Sequence, residues 1–139
     1  MRELPDNNHD EARRWVGNAE ADLRAMQTIA ADEASPRRLV CFMAHLVVEK
    51  GLKATLIDAR VPFGKIHDLL ELHGLCITAG RLSGLQGGGL ARLNPWAVDG
   101  RYADDLAEAG QGLADDLAGF AAGVLSAVRS EMDQTGDPR

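Results

Sequence analysis

One segment constrains this chain more than any other. Between Ser35-Pro36 and Val61-Pro62-Phe63-Gly64 lies a stretch with no internal proline, and its apolar residues (Leu39, Val40, Phe42, Met43, Leu46, Val47, Val48, Leu52, Leu56 and Ile57) cover more than one face of a helix. The spacing predicts a helix over 36–59, with Ser35 as its cap and Pro36 at its first position. Its longest unbroken apolar run, Leu39 to Ala44, is far short of the roughly 20 residues a membrane span needs. Such a helix needs neighbours on several sides. It is either the central helix of a bundle, or it also packs against another subunit.

The rest of the sequence supplies those neighbours. Asp10 reads as the cap of a first helix, with Ala12, Trp15, Val16, Ala19, Leu23, Met26 and Ala30 recurring at steps of three or four. A third helix is expected over 67–79, carrying Leu69, Leu70, Leu72, Leu75 and Cys76. Residues 80–101 hold six glycines and Pro95, and read as a long connection with a short helical turn near Leu90 to Leu93. Tyr102, Leu106, Ala109, Leu113, Leu117, Phe120, Val124 and Val128 then mark a last helix with a bundle seam. Aromatics are 4% and no alternating pattern is present, which argues against a sheet. The expected fold is all-α, an up-and-down four-helix bundle of four to five helices. It forms one domain over 10–132, with flexible tails at 1–9 and 133–139. At 139 residues such a domain needs no metal or disulfide to fold. Cys41 and Cys76 are expected to be buried, reduced thiols. With no span and a charged N-terminus, the expected location is the cytoplasm, without membrane contact.

Charge is uneven. The chain carries a formal −6, which gives no long-range attraction to nucleic acid or anionic lipid. Residues 35–67 nevertheless hold six basic groups (Arg37, Arg38, Lys50, Lys53, Arg60, Lys65) against Glu49 and Asp58. Phosphate binding is expected in this basic centre. His45, Glu49 and Lys53 recur at steps of four on the second helix, either as a satisfied polar stripe or as the wall of a ligand cleft. Arg60 and His67 stand across the Pro-Gly turn with Lys65 between them. An imidazole that titrates near neutrality and a permanent guanidinium suit phosphate chemistry that uses no metal. His67-Asp68 reads alternatively as a capping pair. Arg101 and Tyr102, where the connection enters the last helix, are either an anion contact with a stacking ring or the surface start of the core stripe. Phosphate-loop, zinc and nucleophile-elbow patterns are absent, so no metal or cofactor is expected.

The order Trp15…Ala19-Glu20-Ala21-Asp22-Leu23, Cys41-Phe42…Glu49-Lys50-Gly51-Leu52-Lys53-Ala54, Pro62…His67-Asp68-Leu69 and Asn94-Pro95-Trp96…Arg101-Tyr102-Ala103-Asp104-Asp105 resembles the prokaryotic HEPN domain, the higher-eukaryote and prokaryote nucleotide-binding family, over roughly residues 12–130. The resemblance implies a helical bundle that forms a homodimer and binds nucleotide or RNA. It also implies a metal-independent RNase toxin of a toxin–antitoxin pair, with Arg60-x6-His67 as the catalytic motif, or else a non-enzymatic nucleotide-sensing module partnering a minimal nucleotidyltransferase. Lys65, Arg101, Tyr102, His45 and Glu49 would line the phosphate-binding cleft. Three departures stand out. His45-Leu46 replaces a common Gln-Gln, Ala103 replaces a Pro after the late Arg-Tyr, and Leu69 stands where some toxins carry a modifiable Tyr.

Overall fold

The computed structural model describes residues 8–97 and 110–135. Among them every regular element is helical: α1 Asn8–Ala31, α2 Arg37–Asp58, α3 Leu69–Thr78, α4 Gly87–Leu93 and α5 Gln111–Thr135, with a 3-10 turn at Asn94–Trp96. The fold is the expected all-α bundle, and the five α-helices among the described residues fall within the expected four to five.

Helix α2 is the axis, as its pattern requires. Thirteen of its residues are buried, from Val40 to Leu56, and α1, α3 and α5 all pack on it. Burying a side chain such as Leu52 or Leu56 contributes roughly 1.5–3 kcal/mol, which is what holds the bundle together. The buried stripe of α5 includes Leu117, Val124 and Val128, as the seam predicts, together with Ala114, Ala121, Leu125 and Met132. The upstream positions Tyr102, Leu106 and Ala109 lie outside the described residues.

Several boundaries differ from expectation, each for a local reason. Helix α1 starts at Asn8, so Asp10 sits in its first turn and does not cap it. The extra residues are held by tertiary bonds: Asn8 Nδ2 donates to the Ile57 carbonyl (3.1 Å) and His9 Nδ1 meets Asp58 Oδ1 (2.7 Å). Pro36, not Ser35, occupies the N-cap of α2, because the Ser35 hydroxyl donates to Asp32 Oδ2 (3.1 Å). Helix α3 begins two residues later than expected. Asp68 caps it, accepting from the Leu70 and Glu71 N–H groups, so His67 lies in the preceding turn. The glycine-rich connection is more ordered than its composition suggests. Leu90, Leu93 and Trp96 are buried, and Gly89 lets α4 approach α5 so closely that a Cβ there would sit 2.4 Å from Phe120 Cε1. Helix α5 continues to Thr135, past the expected boundary at 132.

The path between α2 and α3 matters most for function, and it modifies a plain up-and-down route. The chain leaves α2 at Asp58 and travels back along it. Phe63 comes to Lys53 (5.6 Å from Nζ to the ring centroid) and His67 reaches Glu49 (2.7 Å). Helix α3 then returns, with Cys76 Sγ 3.7 Å from the Leu52 carbonyl and Arg81 bonded to Asp58 (3.2 Å). A Schellman cap starts this reversal: Val61 N–H donates to the Leu56 carbonyl and Arg60 N–H to that of Ile57. That motif needs a left-handed residue, and Arg60 fills the position at φ 63°. Gly64 supplies a second positive φ, also 63°, at no steric cost.

Both cysteines are buried and free, as expected. Burial pushes the Cys41 thiol up to about 11 and the Cys76 thiol up to about 12, which leaves them protonated and unreactive. His73 is buried and structural. Its Nε2 meets the Leu82 carbonyl (2.8 Å) and helps hold Leu82 at φ 55°.

Candidate functional site

The polar stripe of α2 is neither exposed nor empty. Glu49 is its centre, with a side chain only 11% exposed. Its Oε2 accepts from Lys53 Nζ at 2.8 Å, one helical turn on, and from His67 Nδ1 at 2.7 Å, across the reversing turn. The sequence placed Glu49 and Lys53 on one face. The turn's return path adds His67 to them. A buried carboxylate is costly unless it is paired and hydrogen-bonded, and Lys53 and His67 together meet that requirement.

This geometry settles the chemistry of His67. Donation from Nδ1 to a carboxylate fixes the proton on that nitrogen, so the neutral ring carries its lone pair at Nε2. The His67 side chain is 45% exposed. The site therefore consists of a surface imidazole, oriented from beneath by a carboxylate that a lysine anchors in turn.

The turn itself is fastened by aromatic contacts that sequence reasoning did not assign to the site. Phe63 meets Trp15 of α1 edge to face, with centroids 6.4 Å apart and planes at 82°, and it also takes the Lys53 cation over its ring. At its far end, Asn94 Oδ1 accepts the Leu69 N–H (2.9 Å). This explains part of the Asn94-Pro95-Trp96 motif: it secures the start of α3 just beyond His67.

Arg60 and Lys65 are exposed on the same turn. Arg60 borders an open hollow of about 480 Å³ with Asn8, Glu11, Ile57, Val61, Pro62, Phe63 and Gly64. Phe63 thus touches both neighbourhoods, lining the Arg60 hollow and contacting the lysine that holds Glu49. Asp58, the acidic neighbour of Arg60 in sequence, is bonded by His9 and Arg81. Arg81 also holds Glu131 of α5 (3.0 Å). Nothing in the sequence pattern flags this second cluster, because most of its pairs lie about fifty residues apart.

His45 requires a correction. It was expected to line the cleft, but it is 1% exposed and so does not face a ligand. Its Nδ1 lies 3.4 Å from Glu49 Oε1, without hydrogen-bond geometry, and among the described residues neither ring nitrogen has a hydrogen-bond partner. Burial holds its pKa below the ordinary 6.5, opposed by the Glu49 charge. Glu49 is also mostly buried, with its Oε2 bonded to Lys53 and His67. Arg101 and Tyr102 lie outside the described residues. No group of three His, Cys, Asp or Glu side chains suited to a metal occurs among the described residues.

Among the described residues the fold is an all-helical bundle whose reversing turn carries a carboxylate-bonded imidazole beside two exposed basic side chains. The match to a family model is direct: residues 12–131 fit the HEPN domain, and the chain belongs to that family. No curated protein and no solved structure shows significant similarity to it. No helix among the described residues is long and apolar enough to cross a membrane.

Proposed function

We propose that the 60–67 turn binds the phosphate of RNA or a nucleotide, and that His67 transfers a proton there as part of a metal-independent RNase. The observation that carries this reading is the 2.7 Å bond from His67 Nδ1 to a buried, lysine-anchored Glu49. An imidazole held in one tautomer, with its other nitrogen as the base, is the arrangement general base catalysis uses. In the proposed step, Nε2 takes the 2′-hydroxyl proton, O2′ attacks phosphorus and the P–O5′ bond breaks. The leaving O5′ takes a proton from water and the His67 imidazolium returns its proton to the resulting hydroxide, giving a 2′,3′-cyclic phosphate and a 5′-hydroxyl. Arg60 and Lys65 offset the charge of the phosphorane. Arg101 and Tyr102 belong to the same proposal as an anion and stacking contact.

A homodimer is part of this reading. Leu39, Phe42, Met43 and Leu46 fall at helical spacing on α2 and remain partly exposed, Leu39 by 37%. A second copy of the chain covering that stripe would satisfy the helix on its remaining side. The test is cleavage of an oligoribonucleotide in a chelator. Wild type is expected to cleave and His67→Ala to lose at least a hundredfold in rate. Equal rates, or none in either protein, end the nuclease reading.

The net charge of −6 favours a second reading, a non-enzymatic nucleotide-sensing or interaction module partnering a minimal nucleotidyltransferase. Calorimetry with ATP and GTP separates the two, since binding without turnover supports the sensor.

A further inference from the structure

His45 is the residue that the site's chemistry leaves unexplained. A buried polar group without a partner is costly, and an apolar residue at this position of α2 would avoid that cost. Yet the imidazole stands one turn before Glu49 and faces the carboxylate oxygen that His67 and Lys53 do not use. Two imidazoles therefore flank a single carboxylate. His67 is on the solvent side at Oε2, and His45 is on the core side at Oε1.

We propose that His45 is a positioning residue for His67, acting through Glu49. With His45 against Oε1, the carboxylate cannot rotate into the core, and Oε2 stays aimed at His67 Nδ1. The 3.4 Å contact is close enough for a long hydrogen bond but is not aligned as one; a reorientation of the ring or carboxylate that points His45 Nδ1 at Oε1 makes it one. The functional meaning of this arrangement rests on the reading of His67 given above, but the arrangement itself does not.

The placement also couples the two rings. The charged groups that face His45 are Glu49 and Lys53 on its own helix, and His67 and Asp68 on the turn entering α3. Burial disfavours a proton on His45, while the Glu49 charge favours it. A proton gained by His45 on acidification draws Glu49 Oε1 toward the core and weakens the hold on His67.

Imidazole NMR of the full chain, with labelled histidines, tests this directly. In wild type, His67 is expected as the Nδ1–H tautomer when neutral, and protonation of His45 on acidification should shift the His67 ring signals. His45→Gln keeps a donor for Oε1 but cannot titrate. It should retain the tautomer and lose that response. His45→Leu has similar bulk and no donor, and should reduce the tautomer ratio at His67 several-fold. A role in space-filling alone predicts that Leu behaves like wild type, and that result overturns the proposal. Where His45→Leu does not fold, His67 signals that ignore protonation of His45 in wild type, or a response that survives His45→Gln, overturn it equally. Failure of RNA cleavage in wild type would end the nuclease reading while leaving these signals unaffected.

Discussion

Replacing Arg60 by glycine should stabilise the protein relative to alanine at the same position while damaging the site. Arg60 occupies the left-handed position of the cap that ends α2, at φ 63°, closed by the Arg60-to-Ile57 and Val61-to-Leu56 bonds of 3.0 and 2.9 Å. A residue with a Cβ pays about 1–2 kcal/mol for that conformation, and glycine recovers it less roughly 0.5–1 kcal/mol of extra chain entropy. The net gain of Arg60→Gly over Arg60→Ala is therefore about 1 kcal/mol. With an unfolding entropy of about 2.1 cal/mol/K per residue, that corresponds to a Tm difference of about 3 °C for a domain of this size. Both variants lose the guanidinium, so the comparison isolates the backbone. Thermal and urea unfolding of the two, measured side by side, give the number. A glycine variant no more stable than the alanine variant would show that the cap is not left-handed and that the reversing turn starts differently. A stabilised Arg60→Gly protein with weakened RNA binding would identify the strain as something the site tolerates to place a cation there.

Other outcomes follow from the same structure. Gly89→Ala should cost about 1–3 kcal/mol by overpacking against Phe120, whereas Gly88→Ala, with open space around its Cβ, should be neutral or slightly stabilising in urea unfolding. Asp68→Ala removes the acceptor for two N–H groups at the start of α3 and should cost about 1 kcal/mol, read as a lowered urea midpoint. His45 has a pKa below 6.5 in the folded state, so the unfolded chain binds more protons between the two values. Its contribution to stability is therefore present above about pH 6.5 and is lost as pH falls toward the folded value. His45→Gln should flatten that part of the stability–pH curve. Cys41 and Cys76, held protonated by burial, should resist iodoacetamide at pH 8 until denaturant unfolds the chain.

How much of this was legible depends on where each interaction reaches. The axis role of α2 and the stripe of α5 were written in local periodicity, and burial of Val40 to Leu56 and of Leu117 to Val128 follows from it. The start of α1 was not legible, since Asn8 and His9 are ordered by groups 49 residues away. The α4 segment was understated because three consecutive glycines oppose a helix, and only burial of Leu90 and Leu93 against the bundle overrides them. At the site, the i,i+4 pair of Glu49 and Lys53 could be read from spacing. The link to His67 could not, because it depends on a turn that doubles back along α2. The burial of His45 (1% exposed) was not legible either, because i,i+4 spacing does not say whether a polar stripe faces a cleft or the core. Phe63 and Asn94, which fasten that turn at either side, gave no chemical signal in sequence beyond their motif.

The central claim is that His67, oriented by Glu49, moves the proton of a ribose hydroxyl without a metal. End-group analysis of an oligoribonucleotide incubated with the protein in excess chelator tests it most directly. The account predicts 2′,3′-cyclic phosphate and 5′-hydroxyl termini, absent with His67→Ala and reduced with Glu49→Gln. Products bearing 5′-phosphate and 3′-hydroxyl ends, or intact RNA, would contradict it.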